Sequence, residues 1–298
     1  MDHPGFVARR MIDRNTLDAR FHGGVLSEYV HGAKVRFFDG NREITGTVAT
    51  VSPDKEHPAY PKAATIDLKS AVAAGSPGMF DQGGGRIKGG RFYSRVCDDL
   101  GGVASLLAML DEVLSARRLK NTVAVLLTRA EEDGFVGAIA SVLHPKLMRK
   151  TDRVISIETS AMQTYARQGE GVVLRVGDRT SIFNSAFMYF IFEQAHALAK
   201  TDRKFKFQRS LMPGGTCEAT VFDAYGYTTG AICVPLGNYH NMDRDRQKIG
   251  PEYVDLNDWT NMVKLFVRLA GHVHDFKPGF TTLKKRIEKR FNQQRKLL

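Results

Sequence analysis

The sequence predicts an α/β layer sandwich that carries a small β module, and three observations support this. Apolar runs of strand length recur at 123–127, 153–157 and 231–234, as in strands covered on both faces. Segments with apolar residues three and four apart stand between and after those runs, the spacing of amphipathic helices. The first ninety residues are different, rich in β-branched residues and turn signals.

Taken in order, 33–38 and 44–51 form two β-branched arms around Asp39-Gly40-Asn41, which predicts a hairpin. Residues 52–62, with three prolines, read as a loop, and 64–68 as a further strand. A glycine-rich stretch from 75 to 90 ends a compact β module assigned to 8–90. Beyond it, Val103, Leu106, Leu107, Leu110, Val113 and Leu114 define a helix over 100–114. A strand at 123–127, a helix at 136–143 and a strand at 153–157 follow. A helix at 187–198, a strand at 231–234 and a long helix at 256–273 with the single Trp259 complete the pattern. Strands alternating with helices form layered α/β domains.

Composition narrows the function. The 298 residues suit one large domain or two modest ones. Apolar residues at 43 % and charged residues at 25 % are ordinary globular usage, which excludes disorder, fibres and coiled coils. No apolar run approaches the ~18 residues of a membrane span, so no membrane partner is expected. Cys97, Cys217 and Cys233 are too few and scattered for a disulfide framework, and a reducing cytoplasm is the default location. Of the net charge of +11, residues 281–298 supply +6, with seven Lys/Arg against Glu288. A tail of this kind can bind phosphates, but a solvated helix end is the plainer reading, and nucleic acid is not an expected partner.

In open α/β sheets ligands bind beyond the carboxyl ends of the strands. Asp98-Asp99 precedes the 100–114 helix, Glu131-Glu132-Asp133 follows the 123–127 strand, Glu158 closes the 153–157 strand, and His240 lies beyond 231–234. Singly, each has a plain role. Asp98 could cap a helix, the glutamates could be solvated, and the histidine structural. Together, carboxylates crowded on one sheet edge repel unless a cation compensates them, and carboxylates with imidazole suit Zn²⁺, Mn²⁺ or Co²⁺.

These residues, in their settings, resemble a known family. Cys97-Asp98-Asp99-Leu100-Gly101-Gly102, Ala130-Glu131-Glu132-Asp133-Gly134, Ile155-Ser156-Ile157-Glu158, Gly214-Gly215-Thr216 and Val234-Pro235 through His240 are similar, in order and spacing, to the motifs of the M42 dinuclear metallo-aminopeptidases. The resemblance implies a three-layer α/β sandwich of the zinc-peptidase type, made of 1–7 with 91–298, and a β-barrel-like domain inserted at 8–90. It implies two divalent ions, zinc first with cobalt or manganese as alternatives, held by Asp98, Glu132, Glu158 and His240. Asp98 would serve both ions and precede an unusual, cis peptide bond, Glu131 would be the general base, and Gly214 and Gly215 would admit substrate backbone. Cleavage of N-terminal residues from peptides and self-assembly through the β domain are implied as well.

The sequence departs from the family at its start. Asp2 matches the carboxylate that orients the family's first histidine ligand, while that histidine would fall one position before Met1. His3 is a poor substitute, because in an extended chain it points away from Asp2. The readings left open are an upstream segment of some 50–70 residues, or a shortened homologue with an impaired site and exposed sheet edge. Glu158 and Cys217 stand where the family usually has Asp, and Leu100 where it often has Arg. A related amidase or deacylase, and a non-catalytic or single-metal assembly protein, are the alternative functions.

Overall fold

Six strands near the start of the chain close into a barrel, in the order β1 (Gly5–Met11), β2 (Thr16–His22), β5 (Pro61–Leu68), β4 (Arg42–Pro53), β3 (Lys34–Asp39) and β6 (Pro77–Phe80). This is a computed structural model, which describes residues 4–116, 119–144 and 146–297. Alternation along the strands turns Phe6, Leu17, Phe21, Val35, Phe37, Ile66 and Phe80 inward. The Phe6 ring meets Phe21 and Phe80 edge-on, with centroids 5.2 and 5.3 Å apart. Tyr29 and Val30 of the single-turn α1 (Ser27–Val30) are buried in the same core. The hairpin expected around Asp39-Gly40 forms, with Gly40 left-handed at φ 59°. Gly5, Phe6 and Val7 pair with both β2 and β6, so the domain boundary set at residue 7 falls inside a barrel strand.

The second unit is built on a seven-stranded sheet. A hairpin, β7 (Arg86–Lys88) and β8 (Arg91–Ser94), joins it rather than the barrel. Then come α2 (Leu100–Ala116), α3 (Val136–Leu143), β9 (Arg153–Ala161), β10 (Val172–Gly177), α4 (Ser185–Thr201), β11 (Phe207–Leu211), α5 (Glu218–Ala224) and β12 (Thr228–Gly237). A two-stranded ribbon, β13 (Met242–Asp243) and β14 (Lys248–Ile249), leads to β15 (Glu252–Asp255), α6 (Leu256–His272) and α7 (Thr281–Gln294). The order is β11-β10-β12-β15-β8-β7, with β9 parallel to β12.

Alternating residues of the central strands face opposite layers. Leu174, Ile232 and Val234 pack with Met109 and Val113 of α2, Phe187 and Ile191 of α4, and Met262 and Leu265 of α6. On the other side, Val154 packs with Ala138 of α3 and Val221 and Phe222 of α5. The result is the expected three-layer sandwich with an accompanying barrel. Asp255 caps α6 by accepting from the Asn257 and Asp258 N–H groups, and Trp259 Nε1 donates to the Gly101 carbonyl of α2 at 2.9 Å. Removing that bond with Trp259→Phe is expected to cost about 1 kcal/mol, measurable by urea denaturation.

One expected strand is absent. Residues 122–128 have no ladder partner, and Leu126 and Leu127 are 41 % and 55 % exposed. Among the described residues β9 pairs only with β12. A cavity of about 940 Å³ is lined both by 153–158 of β9 and by 121–122 and 124–128. Without a strand beside it, an apolar run has no hydrogen-bond ladder to make it one. The basic tail forms α7, which has no buried residue. Among the described residues no helix is long and apolar enough to cross a membrane.

Candidate metal centre

Two loops and the interior of β9 bring acidic residues to that cavity, and Glu158 does not close its strand as expected, because β9 runs on to Ala161. Asp98 and Asp99, joined by a cis peptide bond, lead into α2. Asp99, not Asp98, plays the capping part, its Oδ1 accepting from the Gly102 N–H at 3.1 Å. Gly102 leaves room for this bond, since a Cβ there would lie 2.1 Å from Asp99 Oδ2 and displace the carboxylate. Upstream, the Cys97 and Asp98 N–H groups donate to Glu252 Oε2 at 2.7 and 3.1 Å. Glu252 is fully buried and fixes the approach to the pair.

The Glu131-Glu132 loop folds back onto the start of α3. The Glu131 carbonyl accepts from the Gly134 and Phe135 N–H groups, and the Arg129 carbonyl from Gly137 N–H. His240 sits on the turn after β12, where Asn238, His240 and Asn241 are left-handed, with φ of 52°, 53° and 61°. Asn and His are among the non-glycine residues most often found in that region. Tyr239 stacks on the His240 ring at a centroid distance of 3.8 Å.

Asp98, Glu132 and His240 converge, with one ligand atom from each within 4.8 Å of the others. Nδ1 of His240 faces the Gly24 carbonyl at 3.0 Å. Nε2 lies 3.3 Å from Glu132 Oε1, buried and without a hydrogen bond. With Nδ1 donating to that carbonyl, Nε2 is the nitrogen turned toward the carboxylate, the arrangement in which imidazole and carboxylate can share a divalent ion. These residues therefore fit a divalent ion. Glu158 lines the same cavity but stands outside the three-residue group.

The electrostatics are those of crowded acids. Burial, and then mutual repulsion, push Asp98 and Glu158 well above the ordinary carboxylate range. Asp99 is raised too, mainly by burial, against its bond from Gly102. Burial, then Glu132 and Glu218, raise Glu131 to about 7. Burial raises Glu252 to about 7 as well, outweighing its two backbone donors. An acid raised in the folded state stabilises the fold below its unfolded value and loses that contribution as pH rises through its folded value. Glu252→Gln keeps an acceptor for both N–H groups and removes this cost. In the metal-free protein it is expected to add about 3 kcal/mol of stability at pH 8 and nothing near pH 4, as read by denaturant melts at the two values.

Gly214 and Gly215 lie between β11 and α5, and the Gly215 carbonyl accepts from Arg179 N–H and Arg175 Nη2. An alanine Cβ at 215 would meet nothing within 4 Å. Asp2 and His3 lie outside the described residues. The reading from sequence missed Glu252, Glu218 and Arg175. Arg175 carried a signal, as the only charged residue of β10. It is buried beside Ser160, and Glu158 contributes to raising its pKa. Glu252 and Glu218 carried none.

The family model of M42 glutamyl aminopeptidases matches residues 1–265. No curated protein sequence matches the chain significantly. Three solved structures share the fold. The TET1 peptidase of Pyrococcus horikoshii, described as assembling into a tetrahedron or a large octahedral shell, is 21 % identical with TM-score 0.72, over 91 % of this chain and 81 % of its own. A TET aminopeptidase from a marine sediment thaumarchaeote is 21 % identical with TM-score 0.75, over 93 % and 81 %. An aminopeptidase from Desulfurococcus kamchatkensis is 19 % identical with TM-score 0.72, over 93 % and 80 %. On the family match, which spans most of its length, the chain belongs to the M42 family of metal-dependent aminopeptidases.

Proposed function

We propose that this chain removes N-terminal residues from peptides at two divalent ions, zinc first with cobalt or manganese as alternatives. Asp98, Glu132, Glu158 and His240 would hold them, with Asp98 serving both. The observation that carries the reading is the buried, unpartnered Nε2 of His240 facing the Glu132 carboxylate, with Asp98 close by. When bound, such ions supply Lewis acidity and a water acidified toward neutral pH.

Glu131 takes the proton of the attacking water and hands it to the leaving amine. Before metal binds, burial and the neighbouring Glu132 hold its pKa above the ordinary carboxylate range, at about 7. Gly214 and Gly215 admit substrate backbone, with open space beside residue 215. Self-assembly through the barrel fits neighbours described as a dodecamer and as closed shells. A reducing cytoplasm suits three free, buried cysteines.

The test is metal content together with release of amino acid from aminoacyl-anilides in Zn²⁺, Co²⁺ and Mn²⁺. Bound divalent metal with hydrolysis of free, but not acylated, amino termini is the expected result. Absence of both metal and hydrolysis in all three sinks the reading.

A further inference from the structure

We infer that the barrel is part of the metal site, because the backbone carbonyl of Gly24 is the group that orients His240. The inference rests on the assignment of His240 as a metal ligand. A carbonyl oxygen can only accept, so at 3.0 Å from Gly24 O the Nδ1 of His240 must carry the hydrogen. Nε2 is then the nitrogen left to face Glu132 and Asp98. Fixing the tautomer and direction of an imidazole in this way is how a group beyond the ligands raises metal affinity.

Gly24 is itself held on both sides. Gly23 is left-handed at φ 109°, and a Cβ there would lie 2.7 Å from the Pro4 α-carbon. Val25 is fully buried in the barrel core. The chain beyond His240 is tied to the same unit, since Met242 and Ile249 of the β13–β14 ribbon belong to the barrel core and Tyr239 packs against it. The imidazole is thus carried by the sheet domain and aimed by the barrel. The fit is close, because a Cβ at residue 24 would lie 2.8 Å from Nδ1 and 3.0 Å from Cε1. Residue 24 is not left-handed, so its backbone accommodates alanine and the collision is with the ring alone.

Gly24→Ala in the full chain is therefore the direct test. Titration of the metal-free protein with Zn²⁺ or Co²⁺ against a chelating dye is expected to show 10- to 100-fold weaker binding, with a cooperative melt retained. Leu17→Ala, in the barrel core away from the ring, separates aim from barrel stability. It should lower the melting temperature and leave the affinity unchanged. Unchanged affinity in Gly24→Ala, or an equal loss in Leu17→Ala, overturns the inference.

Nitrogen-15 NMR of the histidines in the metal-free wild type decides the matter even if Gly24→Ala fails to fold. Expected is a hydrogen on His240 Nδ1, and an Nδ1 without one overturns the inference. If the wild type binds no metal while His240 shows the expected Nδ1 hydrogen, the ligand assignment fails and the Gly24 contact stands.

Discussion

Glu131→Gln is expected to lower kcat on aminoacyl-anilides by about 10²- to 10⁴-fold while the protein keeps its metal. The amide preserves shape and removes the proton acceptor. Because Glu131 acts on the water and the leaving amine rather than on substrate binding, KM should change little. The neighbouring glutamate separates the two roles, since Glu132→Gln should lose metal first and activity with it. The acid limb of wild-type kcat/KM adds a second readout. A general base works deprotonated, so activity falls as pH drops through its pKa. That value is about 7 without metal, and nearby cations favour the carboxylate and lower it. The limb should lie at or below pH 7 and move with the metal used. A Gln variant within threefold of wild type in kcat would remove Glu131 from the chemistry.

Removing divalent metal should steepen the fall of stability with rising pH. Asp98, Asp99, Glu158, Glu131 and Glu252 are all raised by burial. In the metal-free protein their protonated forms stabilise the fold at low pH, and that contribution is lost as pH rises. For Glu131 and Glu252 the window runs from the ordinary 4.5 to about 7. Metal opposes that loss, because binding requires deprotonated ligands and protons compete at low pH. At a thousandfold excess over Kd, metal adds about 4 kcal/mol at the alkaline end. Thermal melts at pH 5, 6.5 and 8, with chelator or with Zn²⁺, should converge at pH 5 and separate increasingly toward pH 8. Parallel curves would show that no cation is held among these acids.

Much of this molecule could be read from its residues alone. Val136–Leu143 is the helix its apolar spacing predicts, and the Asp39-Gly40 turn sets the β3–β4 register. Asp98, Glu132 and His240, spread over more than 140 positions, were legible as one site because each follows or precedes a buried element. The strand read at 123–127 does not form, because an apolar run can favour burial while pairing depends on a neighbour elsewhere. Glu252 escaped for a related reason. Its role is to receive two N–H groups from residues more than 150 positions away, and nothing in the local sequence marks such a partner.

The turn after β12 carries one further consequence. Residue 240 must tolerate a backbone that most side chains avoid, and must also supply a donor atom at its tip. β-branched and bulky residues fail the first demand, and glycine and alanine fail the second. Cysteine and glutamate could bind an ion but do not favour the bend. Besides histidine, aspartate and asparagine are left as the substitutes that meet both demands, so the peptide geometry itself narrows the evolutionary alphabet at this position.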